Sequence, residues 1–181
     1  MMETSLIHGW SNLGITFLLT PEEDLKVLSP DGILTPHLLD ELKARKPEII
    51  QSLLEKYVGL PVSWSNAIEI TLTRNTPRNI SESRWRAIIQ RLDVLIHAEK
   101  HHLLKMIEYG WTLEEVFGCH QFAPDSRIDG MGLLMLMTHS TLAEIKPKGA
   151  FLKHKNGSIT TYSLGMLNHN RQERSTLMEV V

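Results

Sequence analysis

The feature that most constrains this chain is the density of backbone punctuation in its first third. Gly14, Pro21, Pro30, Gly32, Pro36 and Pro47 follow one another at short intervals. Proline fixes φ and withholds a hydrogen-bond donor, and glycine admits left-handed backbone. The segment therefore breaks into short elements. Leu6, Trp10 and Leu13 are spaced four and three apart, one face of a helix that Gly14 ends. Ile15, Phe17 and Leu19 alternate with Thr16 and Leu18 as in a strand, Pro21-Glu22-Glu23-Asp24 is turn chemistry, and Leu25 to Leu28 is the return strand. After a second turn, Ser29 to Gly32, Thr35-Pro36 opens a helix: the hydroxyl accepts an orphan amide, and proline at the first helical position loses no needed donor. Leu38, Leu39 and Leu42 form its stripe, and Pro47 ends or kinks it. Ile49, Ile50, Leu53 and Leu54 carry a further helix to about Tyr57.

Helix, hairpin, helix, helix over residues 4–57 resembles the N-terminal docking domain of the TubC type, known from subunits of nonribosomal peptide and hybrid polyketide assembly lines. The resemblance spans about Leu6 to Leu54. It rests on Gly14-Ile15, on Leu25 through Gly32 across the hairpin exit, on Leu34-Thr35-Pro36-His37-Leu38, and on Glu41 through Ile49 across the kink. It implies a small αββαα module that dimerises and whose exposed hairpin captures a short charged segment of a partner protein. A unit this small buries only about 60% of its unfolded surface, so a second copy would help cover Leu38, Leu42, Ile49 and Leu53. The partner-binding residues would be Glu22, Glu23, Asp24, Leu25, Lys26 and Val27, with the acidic turn selecting a basic segment. Nothing after residue 58 resembles a condensation, adenylation or carrier domain.

Residues 58–80 hold Gly59, Pro61, Ser63, Ser65, Asn66, Asn75, Pro77 and Asn79, the composition of a linker. A second unit is expected over 81–165, with a polar tail over 166–181. Trp85, Ile88, Ile89, Leu92, Leu95, Ile96, Leu103, Met106 and Ile107 predict one long helix from Ser81 or Ser83 to Gly110. Thr112 and Glu115 form a capping box with Trp111 stapled onto Val116, and Gly118 closes that short helix. Pro124 to Met137 reads as helical. Leu142 to Ile145, Ala150 to Lys155 and Ser158 to Leu164 read as strands, the last two joined by Asn156-Gly157. The expected fold class is α+β: the small docking module, then a helical unit packed on a small antiparallel β-meander. Gly110 through His120, with Ala123-Pro124, Arg127-Ile128-Asp129 and Met131-Gly132-Leu133, looks like uncharacterised bacterial proteins of plasmids, prophages and other mobile elements.

Chemistry is sparse. The 181 residues carry 19 Lys and Arg against 21 Asp and Glu, so any nucleic-acid binding must rest on a local patch. One such patch is Arg74, Arg78, Arg84, Arg86 and Arg91 around Trp85, with Arg84, Arg86 and Arg91 as the contact residues. Another is the basic residues of the expected hairpins, Lys146, Lys148, Lys153, Lys155 and His154. A single cysteine, Cys119, excludes an intrachain disulfide and a cysteine-rich zinc site. His97 and His101 stand four apart, but opposite the apolar stripe and without the general base of a hydrolytic zinc motif. Glu99 falls on the stripe itself and calls for a cation, such as Arg127. Cys119 beside His120 reads as a small buried residue rather than a nucleophile. No metal and no cofactor are expected. The opening residues lack a basic, apolar leader and no run is long enough to cross a bilayer, which points to a cytoplasmic protein without membrane contact. The reading is a non-enzymatic, dimeric docking or adaptor protein; the alternative is a nucleic-acid-associated accessory factor of a bacterial mobile or defence element.

Overall fold

The computed structural model describes residues 3–118 and 132–164. These fall into two compact units, one through Asn75 and one from Thr76 onward. The fold class is α+β, helices with two small antiparallel sheets.

In the first unit, α1 (Glu3–Asn12) ends at Gly14, whose φ of 79° favours glycine and whose missing Cβ leaves room for the Pro30 ring. Strands β1 (Thr16–Leu19) and β2 (Leu25–Leu28) pair with Thr16 opposite Leu28 and Leu19 opposite Leu25. Helix α2 (Pro36–Ala44) starts where Thr35 accepts the Leu38 amide. The chain breaks at Arg45, and α3 (Lys46–Lys56) begins with Pro47 in its first turn, where the ring costs no hydrogen bond.

The expected linker is the main departure. Residues 58–80 contain α4 (Val62–Thr73), which packs on β1. Trp64, Ala67, Ile68 and Thr71 are buried at helical spacing. Every residue of β1 is consequently buried, not alternate ones. Buried Glu69 is satisfied by Lys56 Nζ at 2.7 Å and by the Tyr57 hydroxyl, which donates to the same carboxylate oxygen. Ile15, Phe17, Ile49 and Ile68 anchor this core, each contributing about 1.5–3 kcal/mol by leaving water. Trp10 meets Phe17 edge-on at 5.7 Å. Leu13, expected on the buried stripe, is exposed, because the stripe ends at Trp10 as the chain turns at Gly14.

In the second unit the single long helix is two. Helix α5 (Glu82–His97), capped by Ser81 on the Arg84 amide, stops where the Val94 carbonyl accepts from both Ala98 and Glu99. Helix α6 (Lys100–Glu108) follows. The break turns the stripe, so that Leu92, Leu95 and Ile96 of α5 and Leu103 and Met106 of α6 are all buried. Helix α7 (Leu113–Phe117) has the expected capping box at Thr112 and Glu115, and Gly118 closes it in the left-handed conformation. Of the stretch expected to be helical from Pro124 to Met137, residues 132–137 are described, and the helix among them is the single turn α8 (Leu133–Leu136).

The meander is as expected: β3 (Ser140–Lys146), β4 (Gly149–His154) and β5 (Ile159–Ser163), in that order, with a bulge between Leu142 and Glu144. The Trp111 indole donates to the Lys146 carbonyl at 3.1 Å, and the Tyr162 hydroxyl donates to the Glu115 carbonyl at 3.2 Å, tying the start of α7 to the sheet. Burial, with Glu115 nearby, holds the Tyr162 phenol protonated far above its ordinary range.

Candidate partner-binding site

The hairpin turn is built by Pro21 and Glu23. Proline supplies the fixed φ of the first turn position, the Glu23 amide donates back to the Thr20 carbonyl at 2.9 Å, and Glu23 then takes a φ of 62°. Thr20 N–H next donates to the Asp24 carbonyl at 2.8 Å. This is a type I turn followed by a left-handed bulge residue, a common three-residue hairpin loop. The left-handed residue is usually glycine; Glu23 is the non-glycine residue with positive φ among the described residues.

The turn sets which backbone groups face outward. Because Thr20 and Asp24 exchange a ladder bond, alternation makes Leu18 with Lys26 and Thr16 with Leu28 the hydrogen-bonded pairs. Leu19, Phe17, Leu25 and Val27 then direct their amides and carbonyls away from the hairpin. On the β1 side that edge is occupied. Asn66 of α4 accepts from the Leu19 amide at 2.9 Å and donates to the Leu19 carbonyl at 2.8 Å, standing in for a neighbouring strand. Thr16 and Thr73 hydroxyls share a further bond. On the β2 side, the Leu25 amide is taken by the Asp24 carboxylate at 2.7 Å. The Val27 amide and the Leu25 and Val27 carbonyls form the outward row of β2.

Side chains follow suit. Glu22, Glu23 and Lys26 are exposed, and Leu25 and Val27 are half-buried. Asp24 belongs to the module itself: Lys46 Nζ lies 2.6 Å from its carboxylate. That hydrogen bond, with the Leu25 amide, lowers its pKa below the usual carboxylate value. The acidic surface of the turn is thus Glu22 and Glu23, with Asp24 neutralised. Leu42, Ile49 and Leu53 are buried within one chain, at 5%, 1% and 5% exposure, so no second copy is required to cover them. Leu38 is half-buried and Leu39 is 39% exposed on α2.

The arginine patch does not assemble as a stacking surface. Trp85 and Arg74 are buried, Arg86 pairs with Glu82 at 3.1 Å, and Arg91 pairs with Glu99 at 3.5 Å; Arg84 is exposed. Glu99 thus finds its cation on α5 itself. Arg127, Cys119 and His120 lie outside the described residues. His97 pairs with Asp93 at 3.5 Å, and the His101 and His102 rings lie 4.1 Å apart. Burial, with His101 beside it, lowers the His102 pKa. Among the described residues no three His, Cys, Asp or Glu are placed to hold a metal, and no helix is long and apolar enough to cross a membrane.

Sequence reasoning named Glu23 but not its left-handed backbone, and it missed the roles of Asn66 and Lys46. The Trp64, Ala67, Ile68, Thr71 spacing behind Pro61 was the signal for α4, and hence for Asn66.

Among the described residues, the β1 edge of the hairpin is thus closed by α4, and no further strand pairs with β2. Residues 4–55 match the family model of the TubC N-terminal docking domain, which gives this segment a protein-docking role and implies a protein partner. No curated protein and no solved structure matches the chain.

Proposed function

We propose that this chain is a non-enzymatic adaptor whose first unit captures a short, extended, basic segment of a partner protein along the open edge of β2. One observation carries this reading: Asn66 closes the β1 edge, so the hairpin offers a new strand a single place to add. Strand addition draws affinity from backbone bonds, here the Val27 amide and the Leu25 and Val27 carbonyls. Glu22 and Glu23 at the turn supply charge preference, while Asp24 and Lys46 hold the turn in shape. Homodimerisation, which the resemblance implies, falls to the α2 face bearing Leu38 and Leu39.

Panning a random peptide library against the full chain tests the capture. Basic, extended sequences are expected. Val27→Pro removes the outward donor without touching a ladder bond, since proline is tolerated at a strand edge; it should abolish capture and leave the fold intact. Glu22→Lys with Glu23→Lys should invert the charge preference. Capture unaffected by Val27→Pro would refute the edge mode. For the dimer, light scattering should show twice the chain mass, reduced to one by Leu39→Glu; a monomer at high concentration contradicts it.

A further inference from the structure

The second unit carries a surface of different character. Across the meander, Glu144, Phe151 and Thr161 stand side by side, as do Thr141, Lys153 and Ile159, and Lys146, Gly149 and Ser163. The opposite face, with Leu142, Ile145, Ala150, Leu152 and Tyr162, is buried. The first face is largely solvent-exposed: Ile159 is 64% exposed, Thr141, Lys146, Lys153 and Thr161 are exposed, and the Phe151 ring is half-buried. Beside Phe151 opens a crevice of about 400 Å³ lined by Gly149, Thr161, Lys146 and Lys148 among others.

Its charge is one-sided. Between residues 140 and 164 stand Lys146, Lys148, Lys153 and Lys155, against one carboxylate, Glu144. Glu144 is held by Lys146 at 2.6 Å, and the Lys146 ammonium also lies 5.6 Å from the centre of the Phe151 ring. Lys146 pairs with Gly149, and Lys153 lies four residues further along β4, so the two lysines bracket Phe151 over roughly 13 Å of strand.

A flat aromatic beside an open crevice, flanked by cations on an uncovered sheet face, suits a ligand with planar apolar groups strung on an anionic backbone. We propose that this face binds single-stranded nucleic acid, with a base stacked on Phe151 and phosphates on Lys146, Lys148 and Lys153. A duplex hides its base faces and would use only the lysines; an acidic peptide offers nothing flat for the crevice. The site is independent of the docking edge, and of the arginines of α5.

The test is fluorescence anisotropy on the full chain. The probes are a labelled oligo-dT single strand of about twelve nucleotides, within the site sizes usual for such surfaces, its duplex with oligo-dA, and poly-glutamate as competitor. Single-strand binding should weaken with salt, with a log–log slope near −2 for three phosphates at about 0.7 each. Phe151→Leu keeps the site apolar but removes the stacking plane and should weaken binding roughly 5- to 100-fold. Lys153→Gln, an exposed change that leaves folding intact, should reduce the slope by about 0.7. Glu144→Gln, which frees Lys146, should tighten binding up to about fivefold. Absence of salt-sensitive binding, equal affinity for the duplex, displacement by poly-glutamate at matched charge, or indifference to both Phe151→Leu and Lys153→Gln would overturn the proposal.

Discussion

Asn66 bonds both backbone groups of Leu19, accepting from its amide and donating to its carbonyl, although 47 residues separate them. One side chain on α4 thus substitutes for a missing strand. It satisfies a buried edge that would otherwise carry two unpaired polar groups.

Asn66→Ala should therefore destabilise the first unit by about 1–3 kcal/mol, the cost of leaving buried backbone groups unmade. Asn66→Asp should cost at least as much, because it sets a carboxylate against the Leu19 carbonyl. Denaturant unfolding of the full chain, followed by a probe in the first unit, measures both.

Glu23 occupies a left-handed position that glycine adopts without steric cost. Glu23→Gly should stabilise the module by about 0.5–1 kcal/mol, the left-handed strain of about 1–2 kcal/mol less the entropy that glycine adds to the unfolded chain. The same change removes one of two charges proposed to face the partner. Stability and capture should move in opposite directions, read by thermal unfolding and by peptide binding.

Two titrations should show in the pH dependence of stability. Asp24 is depressed by the Lys46 hydrogen bond, then by the Leu25 amide. Its contribution is present above the unfolded carboxylate pKa and is lost as pH falls through the lower, folded value. Asp24→Asn should flatten the acid limb of the stability profile below the ordinary carboxylate pKa. His102 is depressed by burial and then by His101, with Glu99 opposing. The unfolded state then binds the proton more readily, so stability should drop as pH falls from 6.5 through the folded value, and His102→Gln should remove that drop.

Gly132 packs against the backbone of Gly118 and Phe117 so closely that a Cβ would overlap both. Gly132→Ala should destabilise the second unit by about 1–3 kcal/mol or more, since backbone rather than a flexible side chain must give way. The first unit should melt unchanged, which separate probes in each unit would show.

Much of this was legible in residue order. Thr35-Pro36, Thr112 with Glu115, Gly118 and Asn156-Gly157 are local devices, and each acts where its chemistry places it. Two things were not. Polar Ser65 and Asn66 masked α4, because their partners are a helix carbonyl and strand backbone rather than solvent. The α5–α6 break has no proline or glycine to announce it; bifurcation at Val94 and the pairing of Glu99 with Arg91 are tertiary choices. At the hairpin, residue types named the turn, but only the register showed which β2 backbone groups point outward, and only the tertiary packing that Asp24 belongs to Lys46.

Amide hydrogen exchange at Val27, resolved by NMR in the full chain, tests the docking account most directly. In the free chain the Lys26 amide should be protected and the Val27 amide should exchange readily. Adding a basic peptide selected by panning should then slow Val27 at least about tenfold, as a strand edge gains a neighbour. A Val27 amide whose exchange stays unchanged at saturating peptide would contradict the account.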